Sequence, residues 1–157
     1  MKNIDVGCGS PDEWIEGDWI RVDPYVKEAE VKAFAWELPY KEGEVDELYS
    51  SHMLEHCHKA QVVPTLKEWF RVLKTGGKLT LKVPDFAWCC QWWLDHQTNT
   101  WDMDIIFGGQ SREGETHYTG FNREIAIDYL REAGFKVNKF DEEESHGQKT
   151  LVFECEK

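Results

Sequence analysis

The stretch Ile4-Asp5-Val6-Gly7-Cys8-Gly9 decides the fold. A strand signal over residues 2–6 runs into two glycines spaced one residue apart, so the backbone can turn sharply and approach a ligand with no Cβ in the way. Trp19-Ile20-Arg21-Val22-Asp23 reads as the next strand, stopped by Pro24, and carries a carboxylate at its end. A carboxylate so placed can accept hydrogen bonds from both ribose hydroxyls, as in dinucleotide folds. The dinucleotide fingerprint itself fails. Asp12 stands where the third glycine would fall, with Glu13 beside it, and two acids at a helix N-terminus oppose a pyrophosphate. A cationic ligand without phosphate meets no such objection.

Beyond Asp23, residues 30–34 read as a short third strand and residues 45–50 as a fourth. Pro64 suits the first position of a helix, where its missing N–H costs nothing. Leu66, Trp69, Phe70 and Leu73 then recur at helical spacing, and Gly76-Gly77 closes the element. Residues 78–83 form a fifth strand ended by Pro84. Asn122 caps a helix with a buried stripe of Ile125, Ala126, Tyr129, Leu130 and Ala133, and Gly134 stops it. Residues 135–140 and 150–155 close the chain as a strand pair. Strands separated by helices imply a parallel sheet, and the closing pair adds one antiparallel edge. Residues 85–121 lack a clear period and are rich in Trp, Gly and His. They are expected to be a substrate-side insertion in a single domain spanning residues 1–157.

Hydrophobic residues make up 41% of the 157 and charged ones 31%, the balance of a folded soluble domain. No run approaches the roughly 20 apolar residues of a membrane span, and Asp5 with the two glycines interrupts what would be a leader's apolar stretch. A formal charge of −12 repels a phosphate backbone, and Lys67, Arg71, Lys74, Lys78 and Lys82 scatter over helix and strand faces. Nucleic acid is therefore not an expected partner, nor is a membrane. The acidic run over residues 141–144 reads as a solvated loop. Five cysteines, an odd number with no C-x-x-C, fit a reduced, cytoplasmic setting.

Taken in order, these pieces resemble the class I S-adenosylmethionine-dependent methyltransferases. Ile4-Asp5-Val6-Gly7-Cys8-Gly9 is similar to their first motif and Val22-Asp23 to the acidic end of their second strand. Leu38-Pro39-Tyr40, the run from Val45 through Ser50-Ser51-His52-Met53-Leu54-Glu55-His56, and Glu68-x-x-Arg71-Val72-Leu73-Lys74-x-Gly76-Gly77 follow in family order. Leu81-x-Val83-Pro84-Asp85 and Leu130-x-x-Ala133-Gly134-Phe135 complete the pattern, most similar to the small type-11 group of predicted methyltransferases.

The resemblance implies a Rossmann-like, three-layer α/β fold, with a mostly parallel sheet, one antiparallel edge strand and reduced N-terminal helices. It implies S-adenosylmethionine as cofactor and S-adenosylhomocysteine as product. Gly7, Cys8 and Gly9 would pass under the methionine and ribose, Asp5 would hold the amine and Asp23 the ribose. The adenine would lie near Phe34, Ala35 and Trp36, with Leu38 on the ring, and Ser50, Ser51 and His52 would face the methyl group. Ser10 replaces a third glycine, and Phe34 stands where the family often has an acid. The connection from Gly9 to Trp19 leaves room for one or two helical turns. A closing loop, a partner or a second copy of the chain is expected to cover the cofactor.

Methyl transfer is an in-line displacement, so the protein has mainly to align the acceptor and exclude water. Where the acceptor needs a base, His52, His117 and Asp85 are the candidates. The segment over residues 108–121 resembles one that overlies the active-site mouth in the same group. Trp88, Trp92 and Trp93 either pave an acceptor pocket or fill a core. A small molecule or a sugar is the expected acceptor.

Two other functions compete. One is a non-catalytic cofactor-binding or interaction module on the same fold. The other is a zinc hydrolase, because His52-Met53-Leu54-Glu55-His56 fits H-x-x-E-H, in which two histidines on one helix face grip zinc and the glutamate activates water. The Leu-Glu-His ending after the fourth strand is common in type-11 methyltransferases, so no metal is expected.

Overall fold

Six strands pair side by side into one sheet. The computed structural model describes residues 1–96 and 101–157. The strands are β1 (Asn3–Val6), β2 (Ile20–Val22), β3 (Val45–Ser51), β4 (Leu73–Pro84), β5 (Lys136–Ser145) and β6 (Gln148–Glu156), in the order β2-β1-β3-β4-β6-β5. β1 to β4 run parallel, and β6 runs antiparallel to both β4 and β5. The helices are α1 (Lys59–Val72), α2 (Phe86–His96), α3 (Trp101–Phe107) and α4 (Arg123–Ala133). This is the mostly parallel, Rossmann-like arrangement expected, with the antiparallel strand in the closing pair.

The core lies where α1 and α4 cover the sheet. α1 buries Val62, Thr65, Leu66, Trp69 and Val72, spaced to make one stripe. α4 buries Ala126, Leu130 and Ala133, and Phe70 meets Phe135 edge-on at 5.2 Å between ring centres. The caps of α4 are as expected: the Asn122 side chain accepts from the Ile125 amide at 2.9 Å, and Gly134 ends the helix in the left-handed region at φ +107°. Ile125 itself is exposed rather than part of the stripe.

Several expectations need correcting. Residues 30–34 do not form a strand; one bridge, Val22 to Val31, is all that pairs. The Glu30 carboxylate accepts from the Arg21 amide at 2.6 Å, so a side chain sits beside the bridge. α1 begins at Lys59, which leaves Pro64 inside the helix with one backbone bond forgone. It ends at Val72, and Gly76-Gly77 belong to an irregular stretch at the start of β4 instead. The acidic run 141–144 lies on the edge strand β5, not in a loop. Lys149 pairs with Glu142 and Lys82 with Glu143, each at 2.7 Å, and the remaining charge blunts an edge that could recruit another strand. Between Gly9 and β2 there is a single 3-10 turn, Pro11–Glu13.

One buried bond ties the helix layer to the loop that follows β2. Trp69, fully buried on α1, donates from Nε1 to the Ala35 carbonyl at 2.9 Å. Ala35 sits between Phe34 and Trp36, so α1 sets the height of that aromatic pair. Trp69→Phe keeps most of the apolar volume but orphans the carbonyl, and should cost about 1–3 kcal/mol, read as a lower midpoint in urea unfolding.

Candidate functional site

The C-terminal ends of the parallel strands converge on a cleft of about 310 Å³. Gly7 and Gly9 follow β1 at φ +71° and +61°, a region that disfavours any residue with a Cβ. The Gly7 amide donates to the Val22 carbonyl at 2.8 Å, which pins the turn to the end of β2. A Cβ on Gly7 would lie 2.1 Å from Cγ of Met53, so that side chain already fills the space glycine leaves.

Asp23 follows β2 directly and is nearly buried. Its Oδ1 accepts from the Tyr25 amide at 2.8 Å and the Val26 amide at 3.0 Å, an Asx-type turn that swings the chain away from the sheet. Phe34 and Trp36 stack at 4.7 Å with 11° between their planes, and Tyr25 approaches Phe34 edge-on. These residues, with Asp5, Cys8 and Ala35, line one side of the cleft. Ser51, His52, Met53 and His56, from the end of β3 and the turn beyond it, line the other, and Arg112, Glu113, Gly114 and Glu115 border it from the loop after α3.

The lining is acidic. Asp5, Glu13, Asp23, Glu113 and Glu115 contribute five carboxylates against one guanidinium, that of Arg112. Arg112 is itself paired with Glu115 at 2.8 Å. Under the floor lies a buried ion pair, Arg21 to Asp5 at 2.8 Å, and Arg21 also donates to the Ile15 carbonyl at 2.6 Å. Burial pushes the Asp5 carboxyl up to about 6 while Arg21 pulls it down. Burial likewise raises the Cys8 thiol to about 12, so at neutral pH it is no nucleophile.

A family model described as a methyltransferase domain, of type 11, matches residues 18–81, which run from β2 into β4. No curated protein matches the sequence. Solved structures match over 99% of the chain. One is an S-adenosylmethionine-dependent methyltransferase of Thermotoga maritima, described as a possible histamine N-methyltransferase (18% identity, 82% of its chain, TM-score 0.70). A second is the 1,6-didemethyltoxoflavin N1-methyltransferase of Burkholderia thailandensis, solved with 1,6-didemethyltoxoflavin and S-adenosylhomocysteine (16% identity, 70% of its chain, TM-score 0.70). A third is an S-adenosylmethionine-dependent methyltransferase of Methanosarcina mazei (17% identity, 92% of its chain, TM-score 0.69).

This is a methyltransferase fold. Of the residues that resemblance singled out, the fold gathers Asp5, Gly7, Cys8, Gly9, Asp23, Phe34, Ala35, Trp36, Ser51 and His52 around one cleft. Leu38 and Ser50 are not among them: Leu38 is in the core, and Ser50 is fully buried with its hydroxyl donating to the Val6 carbonyl at 2.8 Å. Asp85 lies away from the cleft, where it caps α2 by accepting from the Ala87 amide at 3.1 Å and sits 3.7 Å from Lys149. His117 lines a neighbouring cavity of about 190 Å³, and burial pushes its ring toward the neutral form. Trp88 and Trp92 stack on each other along α2 at 5.0 Å, and with Trp93 they line neither cavity.

The zinc-hydrolase geometry does not form. His52 has φ +51° and residues 54–56 make only a 3-10 turn, so His52 and His56 share no helix face. His52 instead places Nε2 3.1 Å from the Thr150 hydroxyl and Nδ1 3.5 Å from Glu55. Sequence reasoning missed Tyr25, His146 and Gln148, which reach the cleft through tertiary packing and belong to no motif, and gave Met53 no role inside its motif. The Asp5–Arg21 pair gives a direct check on this floor. Arg21→Met should strand a buried carboxylate and cost about 3–5 kcal/mol, measured by denaturant unfolding at neutral pH.

Proposed function

We propose that this chain binds S-adenosylmethionine in the 310 Å³ cleft and passes its methyl group to a small-molecule or glycan acceptor. The observation that carries the reading is that the glycine tip after β1 and the carboxylate after β2 face the same cleft. The residues present fit such a ligand. The volume falls within the range of small-molecule pockets. Glu13, Asp23 and Glu113, the lining carboxylates without an arginine partner among the described residues, favour a ligand with a sulfonium and an amine and no phosphate. Phe34 and Trp36 offer flat faces for a purine. With Oδ1 of Asp23 held by two amides, Oδ2 is the oxygen left for ribose hydroxyls. Asp5, whose Oδ2 is engaged by Arg21, would reach the amine through Oδ1 or a water.

The cofactor, when bound, supplies a methyl group on positively charged sulfur. The chain's own task is to align the acceptor and keep water out. His52 is the base best placed to take a proton from an acceptor, since it lines the cleft and Thr150 orients its ring. Residues 85–121 serve as the acceptor side of a single domain: Arg112 to Glu115 border the cleft, and residues 105–107 and 117–121 line the second cavity. Residues 97–100 of that stretch lie outside the described ones. The exposed rings of Tyr25, Phe34 and Trp36 at the cleft rim suit a partner or a second copy that covers the ligand. A reducing cytoplasmic setting belongs to the same reading, because all five cysteines are free and four are buried. No helix among the described residues is long and apolar enough to cross a membrane.

Calorimetric titration with S-adenosylhomocysteine tests the assignment. The chain should bind one equivalent. Asp23→Asn keeps an oxygen for the Tyr25 and Val26 amides but removes the charge, and should weaken binding by about 1.5–3 kcal/mol, or roughly 10- to 100-fold. Equal affinity in that variant contradicts the ribose placement. Methyl release onto candidate acceptors then separates a working enzyme from a cofactor-binding module.

A further inference from the structure

On the wall of the smaller cavity stands a buried carboxylate whose polar neighbours are imidazoles. Glu55 is 2% exposed; its Oε1 lies 3.5 Å from Nδ1 of His52, and among the described residues neither side-chain oxygen makes a well-formed hydrogen bond. A buried carboxylate held by one long contact is costly. Its surroundings are imidazoles. The backbone fixes the position firmly, since the Glu55 carbonyl accepts from the Tyr118 and Thr119 amides at 2.8 and 3.1 Å.

His56 is oriented as a ligand, and His117 stands beside it. Nδ1 of His56 lies 3.1 Å from the Thr116 carbonyl, and a carbonyl only accepts, so Nδ1 must carry the proton. The other ring nitrogen, Nε2, then holds a lone pair. Donation of one ring nitrogen to a backbone carbonyl is how metal-binding histidines are usually oriented. The rings of His56 and His117 are 4.8 Å apart, and one candidate ligand atom from each of Glu55, His56 and His117 lies within 4.8 Å of the others. Zinc with ligands at about 2.0–2.1 Å needs donors roughly 3.3 Å apart, so binding would draw these three side chains together.

We infer that Glu55, His56 and His117 form a site for a divalent zinc-like cation, a different ligand set from the H-x-x-E-H reading and a departure from the expectation of no metal. Two imidazoles and one carboxylate suit zinc. Three protein ligands leave a fourth position for water or an acceptor oxygen, whose proton the ion would make more acidic. His56 lines the larger cavity, and Glu55 and His117 the smaller, so that position lies where an acceptor would meet the cleft. Cys57 is no ligand here: its sulfur faces the Thr65 hydroxyl at 3.8 Å.

The test uses the full chain without a histidine tag, stripped with chelator and titrated with cobalt(II) and zinc(II) against a chromophoric competitor, with no nucleoside present. One equivalent should bind, and the cobalt form should show d–d absorption without a thiolate charge-transfer band. His117→Ala and the near-isosteric Glu55→Gln should each weaken binding tenfold or more, while His58→Ala leaves it unchanged. Circular dichroism confirms that the variants are folded, and Glu55→Gln decides the matter should His117→Ala not fold. Absence of saturable one-to-one binding, or equal affinity in Glu55→Gln, overturns the inference. S-adenosylhomocysteine binding by the same preparation reports separately on the cofactor reading.

Discussion

The hydrogen bond from the Gly7 amide to the Val22 carbonyl, 2.8 Å long, is the constraint on which the rest of the site depends. It joins the first residue beyond β1 to the last residue of β2. With that bond made, the chain must leave β1 in a left-handed turn, and Asp23 must emerge beside it. Two parallel strands then end at one level, and the turns that leave them together form one side of the cleft. Only a residue without a Cβ fits at position 7, because Met53, from the turn beyond β3, already occupies the space.

Charge placement obeys the same geometry. Residues next to one another in register on β1 and β2 carry opposite signs, Asp5 and Arg21, and their pairing allows both to be buried. A second buried carboxylate, Glu55, has imidazoles around it where Asp5 has a guanidinium. The two differ in what they permit. A guanidinium is permanently charged and has no lone pair to offer; an imidazole held by a carbonyl, as His56 is, keeps one available to a ligand. The strand ends thus combine a settled electrostatic floor with a wall that still has bonding capacity.

The sheet was legible in the sequence because β1, β3, β4 and β6 carry apolar residues at strand spacing, bounded by glycine or proline. α4 was legible through Asn122 and Gly134, whose chemistry marks helix ends. The features that failed to show depended on distant partners. Residues 30–34 look like a strand, but Glu30 turns to bond the Arg21 amide. Pro64 looks like a helix start, but the buried faces of Val62 and Leu66 extend α1 back to Lys59. The acids at 141–144 look like a loop because charge usually marks one, whereas here it protects a sheet edge. In the site, the glycines, Asp23 and His52 were readable from motif order. Tyr25, His146 and Gln148 arrive from turns whose path the local sequence does not dictate, and the link between His56 and His117 spans 61 residues and closes only on folding.

The central claim is that the gap between the glycine tip and Asp23 is a nucleoside site. A crystal structure of the chain soaked with S-adenosylhomocysteine tests it most directly. The account requires the ribose hydroxyls within hydrogen-bond distance of the Asp23 carboxylate, with the thioether passing over Gly7 to Gly9. A ligand seated elsewhere, or Met53 and its neighbours closing that gap in the soaked crystal, would contradict it.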